Sequence, residues 1–138
     1  MPETAEQYQK RLADYIDGQD PLTVQSGAAD KLSRLVKGRS VQELTRRPAP
    51  DEWSIIEIIA HMAEDELVSS WRYRQMIEQD GAKLNGFDQD LWAELGRYAE
   101  WNPTEAVELF RLLRQANLRM LHGLSPEQWE RSGNHVER

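Results

Sequence analysis

The chain of 138 residues contains no cysteine. That excludes disulfides and thiolate metal ligands, and it agrees with a reducing, cytoplasmic setting. The start, Met1-Pro2-Glu3-Thr4, lacks a basic segment and an apolar run, so no signal peptide is expected. No stretch approaches the roughly 18–20 uninterrupted apolar residues of a membrane span, so no membrane partner is expected either. Positive charge is scarce. Seventeen Lys and Arg against 24 Asp and Glu give a formal net charge of −7, which disfavours nucleic acid as a partner. Gly-x-Ser-x-Gly elbows and phosphate-cradling glycine loops are absent. No segment alternates with period two over five or more residues, so the sequence offers no strand signal.

What is present is enough to fold. Hydrophobic residues make up 39% of the chain and five are tryptophan, which is the composition of a globular protein. The length fits one helical domain over 1–138. The densest pattern runs from Glu52 to about Ile77. Ser54 is placed to cap a helix, and Glu57, three residues on, completes a capping box. At about 100° per residue, Ile55, Ile59, Met62, Ala63, Tyr73 and Ile77 share one stripe, with Glu66 near its middle. A second helix is expected over 22–37, closed by Gly38. A third begins at Asn102-Pro103, with Ala106, Phe110, Leu113, Asn117, Met120 and Leu121 inward. Short helices are expected at 3–17, after Ser40, at 88–95 and after Ser125. The reading is all-α, three substantial helices with short ones between them.

Two carboxylate patterns on the long helix bear on chemistry. His61 and Asp65 lie one turn apart, on the side roughly 160° from the stripe centre. That spacing lets both reach one point and makes them candidate ligands of a divalent metal. The plainer reading is a solvated pair on a charged helix. Val68 and Arg72 share their side, and Glu57 and Glu64 flank the histidine. Glu66 has the opposite profile, since its place in the stripe demands a partner. An Arg, Asn or Trp would serve, and a structural bond is the favoured reading over a catalytic acid. Asn117, polar within its own stripe, also needs a partner, and Glu66 and Arg114 are its candidates. His122 suits a helix C-terminus, and His135 falls in a terminal loop. A third reading is a ligand-binding helical module with an apolar pocket near Trp71, Trp92 and Trp101.

The segment Pro48-Ala49-Pro50-Asp51-Glu52-Trp53-Ser54, continuing through His61 to Glu66, resembles the signature of the DinB/YfiT-like superfamily. Leu124-Ser125-Pro126-Glu127-Gln128-Trp129 is similar to the segment that precedes the last helix in that family. The resemblance implies a DinB-like four-helix bundle, often a homodimer. It also implies a divalent metal, nickel or zinc, held by three histidines, of which His61 matches the first. The other two belong to a His-x-x-x-His pair on the last helix. This sequence contains no such pair and stops where that helix is expected, so the last helix reads as missing or truncated. Asp65 and His135 are then the weaker candidate ligands, and the chain as it stands is expected to hold no metal. The apolar groove left by the missing helix favours a homodimer. Related activities imply a small-molecule or thiol substrate, of the bacillithiol or mycothiol S-transferase kind or a hydrolase. The alternative is a non-catalytic bundle acting as a dimeric binding or interaction module.

Overall fold

The computed structural model describes residues 1–136. The two longest helices begin at the caps expected at Ser54 and Asn102, and the helix expected from 22 begins one residue earlier, behind an Asp20 cap. Helix α1 spans Ala5–Tyr15, with Thr4 capping. Helix α2 spans Pro21–Val36, with the Asp20 carboxylate accepting from Thr23 N and Pro21 in the first turn. A short α3, Val41–Thr45, follows Ser40. Helix α4 spans Ile55–Glu78, and the Ser54–Glu57 box closes in both directions. Helix α5, Gln89–Leu95, precedes a 3-10 turn at Tyr98–Glu100. Helix α6 spans Pro103–His122 behind its Asn102 cap, and α7 spans Pro126–Trp129. The all-α expectation holds in the arrangement of these elements. Helix α6 packs along both α2 and α4. No helix is long and apolar enough to cross a membrane among the described residues.

The core lies where those three helices meet. Ile56 and Ile59 of α4 pack on Ala106 and Val107 of α6, and Phe110 fills the space between Ala29 and Ala63. The buried stripe of α4 is centred one residue later than the sequence suggests. Ile56 is fully buried, whereas Ile55 is exposed. Isoleucine occupies positions 55, 56, 58 and 59, so composition leaves the phase open and only the neighbouring helices fix it. Glu66 is buried as expected, and its partners are of the types expected, an asparagine and an arginine. Asn117 Nδ2 donates to Glu66 Oε1 at 2.9 Å, and Arg114 Nη2 donates to Oε2 at 2.9 Å. Arg114 Nη1 also donates to the Gln25 carbonyl at 3.0 Å, so one polar cluster ties all three helices together.

Two expectations need correction. His135 does not lie in a loop. Residues Gly133–Val136 form strand β2, paired in parallel with β1, Ala82–Asn85, so that Leu84 stands opposite His135. Four-residue strands are too short to show a period-two pattern, and their pairing spans about fifty residues of chain. Glycine is required at 133, because a Cβ there would lie 2.7 Å from Leu84 Cδ1 and 2.9 Å from Met76 Cγ. The tryptophans at 71, 92 and 101 share no pocket. Trp92 stacks on Phe87 at 4.4 Å between centroids, Trp101 meets Tyr98 edge-on, and Trp71 is largely exposed.

Candidate functional site

His61 sits on the second turn of α4, and elements distant in sequence build its surroundings. Trp53, just before the helix cap, places its indole 5.2 Å from the imidazole, centroid to centroid. Phe87, from the connection between β1 and α5, approaches from the other side at 6.4 Å. The ring is half-buried, and its Nδ1 is buried with no hydrogen-bond partner among the described residues. Histidine nitrogens taken out of water ordinarily find a partner, so this atom marks a position where a ligand would be accepted. The solvated-pair reading of His61 therefore does not hold. The sequence showed the residue but not its burial, because both walls come from elsewhere in the chain.

The acids around the histidine are largely committed elsewhere. Glu57 closes the helix cap and pairs with Arg47, whose Nη2 and Nε donate at 2.5 and 2.8 Å. That guanidinium, helped by the Ser54 backbone and hydroxyl, holds the Glu57 carboxyl below its ordinary range. Glu64 accepts a very short hydrogen bond from the Tyr98 hydroxyl. Tyr98 is fully buried, and burial, reinforced by Glu64, pushes its phenol well above the usual value. Tyr98 also packs edge-on against Trp53, so it braces the wall behind His61. Gly96 makes room for it, since a Cβ there would meet Tyr98 Cε1 at 2.8 Å. Arg97 adopts φ 54°, a left-handed turn that brings Tyr98 inward. Asp65 lies one turn beyond His61 and is half-buried.

Glu57 supplies a pH prediction. Its folded-state pKa is depressed, so it contributes stability above the ordinary carboxylate pKa of about 4.3 that is lost as pH falls through its lower folded value. Arg47→Ala is expected to lower the thermal midpoint at pH 7. The gap to the parent protein should close as pH drops below about 4. Thermal melts at several pH values check this, and a gap that is constant with pH would contradict it.

His135, at the far end of the same side of α4, lies with Arg72 instead of His61. Arg72 Nη2 is 3.4 Å from His135 Nε2 and donates to the Asn85 carbonyl at 2.7 Å. The Arg72 guanidinium also lies 5.9 Å from the Phe87 centroid, on the ring that His61 approaches at 6.4 Å. The site thus reads, in space, as Trp53, His61, Phe87, Arg72 and His135. Among the described residues no three His, Cys, Asp or Glu side chains converge so as to hold a metal ion. One imidazole nitrogen suits such an ion, but a full ligand set is not found there, and no catalytic step is assigned to a metal.

The sequence profile of the DinB superfamily matches residues 26–136. No curated protein matches the chain. Among solved structures, the chain is similar to one described as "YfiT from Bacillus subtilis is a probable metal-dependent hydrolase with an unusual four-helix bundle topology". The TM-score is 0.77 at 19% identity, over 97% of this chain and 71% of that one. Similarity at that identity establishes the four-helix-bundle fold and nothing finer.

Proposed function

The chain belongs to the DinB superfamily, and on that premise we propose that it is a divalent-metal-dependent protein in which His61 supplies one ligand. The observation that carries this reading is the buried His61 Nδ1, unpartnered between Trp53 and Phe87. The family resemblance points to nickel or zinc, and a neutral imidazole nitrogen is an ordinary donor to both. Such an ion, when bound, acidifies a coordinated water or thiol. The described residues themselves seat the imidazole, exclude water on the tryptophan and phenylalanine sides, and offer the Arg72 cation beyond Phe87. On the family resemblance, the substrate we infer is a small-molecule thiol or a hydrolysable compound. The description of YfiT as a probable metal-dependent hydrolase supports the hydrolytic branch, and the family resemblance supports thiol S-transfer. We place the protein in the cytoplasm on the absence of cysteine.

Titration calorimetry with zinc and with nickel tests the metal. Against the expectation from sequence that the chain as it stands holds no metal, the sheltered His61 Nδ1 leads us to expect heat of binding for the parent protein and its loss for His61→Ala, while His122→Ala binds as the parent does. Equal binding by all three proteins would overturn the reading. The second reading is a non-catalytic bundle that works through its surface. Its support is the exposed apolar set Leu67 and Trp71 on α4 with Leu109 and Leu112 on α6. That reading expects no heat with either ion.

A further inference from the structure

Two buried side-chain atoms of α4 lack a hydrogen-bond partner among the described residues, His61 Nδ1 and Arg72 Nε. The first belongs to the site already described. The second lies on the same side of the helix, three turns further along. Both side chains meet one ring. The His61 imidazole is 6.4 Å from the Phe87 centroid, and the Arg72 guanidinium carbon is 5.9 Å from it.

Arg72 differs from the other sheltered arginines. Among the described residues only the arginines at 72, 111 and 114 are partly buried. Arg111 pairs with Asp30 and Glu108, and Arg114 pairs with Glu66. Arg72 has no carboxylate within ion-pair distance among the described residues, although the chain carries 24 acids against 17 bases. A guanidinium does not shed its proton, so one drawn partly out of water calls for an anion beside it.

Its neighbours fix the guanidinium without neutralising it. Nη2 donates to the Asn85 carbonyl at 2.7 Å and lies 3.4 Å from His135 Nε2. A guanidinium only donates, so this imidazole nitrogen is the acceptor and the ring is neutral. The His135 ring rests against Gly86, where a Cβ would come within 3.6 Å of its Cε1. Nε and Nη1 carry no hydrogen bond among the described residues. The cation is thus held in position by two neutral acceptors, with donors to spare.

We propose that Arg72 is the anion-recognition point of the His61 site, and that the ligand is a small molecule bearing a carboxylate, received by this guanidinium while its other end lies at His61 across Phe87. The placing of that other end rests on the metal reading above, whereas the anion point stands without it. One planar carboxylate matches one guanidinium, charge for charge. A phosphate group ordinarily draws also on a helix N-terminus or a glycine-rich loop, and Arg72 lies deep within α4.

Nitrogen-15 spectra of the arginine side chains, recorded on the full chain before metal is added, test this. Arg72 Nε should shift saturably with succinate and stay in place with succinamide, its uncharged counterpart. Arg72→Gln should weaken succinate binding about tenfold or more, the weight of a hydrogen bond to a charged group. Arg72→Lys, which keeps the charge, should recover part of that loss, and His61→Ala should bind succinate as the parent does. The Arg72 Nε shift is read on the parent protein, so the test stands even where a variant fails to fold. An Arg72 Nε unmoved by succinate, an equal response to succinamide, or tighter binding of inorganic phosphate than of succinate would each overturn the proposal. Zinc binding by a protein whose Arg72 ignores succinate overturns this inference alone. A succinate response in a protein that binds no zinc upholds the anion point and overturns the metal reading.

Discussion

Arg114→Ala is expected to lower the unfolding free energy by about 3–5 kcal/mol, the usual cost of stripping one partner from a buried ion pair. Glu66 is 4% exposed and Arg114 is mostly enclosed, so water cannot take over the role of the lost guanidinium. The substitution would leave the Glu66 carboxylate with Asn117 alone, and it would also free the Gln25 carbonyl that fastens α2. A loss of that size is a large share of the about 5–15 kcal/mol that holds a domain folded. Urea denaturation measures it. Replacing Glu66 and Arg114 together by leucine and methionine should cost far less than Arg114→Ala, because no charge is then left buried. A single-variant loss under about 1 kcal/mol would mean that solvent reaches Glu66, since exposed pairs are worth no more than that.

Phe110→Ala should cost a similar amount, about 3–5 kcal/mol, for a different reason. Its ring is 1% exposed and packs between Ala29 and Ala63. Neither neighbour is large enough to collapse into the vacated space, so the lost contacts come with a cavity. The Arg114 guanidinium lies 4.7 Å from the Phe110 centroid, so the two sites share one environment. The combined variant is therefore expected to lose less than the sum of the single losses, since contacting residues are not independent. The same urea series measures this, and simple additivity would argue against the contact.

The two stability predictions rest on parts of the molecule that were legible in the chain. Glu66 in an apolar stripe required an Arg, Asn or Trp, and Asn117, polar in its own stripe, had Glu66 and Arg114 as candidates. The caps at Ser54, Asn102 and Ser125 were equally legible, because capping depends on residues three apart. The features that failed to show are those made by distant segments. The burial of His61 depends on Phe87, 26 positions later, and on a tryptophan packed by Tyr98. The pairing of β1 with β2 moved His135 from a loop to a strand and put it against Arg72. Glu57 was legible as half of the Ser54 capping box, but its pairing with Arg47 and the bond from Tyr98 to Glu64 were not. Helical periodicity gives the side of a helix on which a residue lies and is silent on what comes to meet it.

The claim on which the functional reading turns is that the imidazole at 61 keeps a sheltered, unpartnered nitrogen. Nitrogen-15 spectra of the three histidine rings during a zinc titration read that atom directly. The expected result is a saturable shift of the His61 ring nitrogens while those of His122 stay in place. A spectrum in which His61 is unmoved at saturating zinc, or moves only as far as the exposed His122, would contradict it.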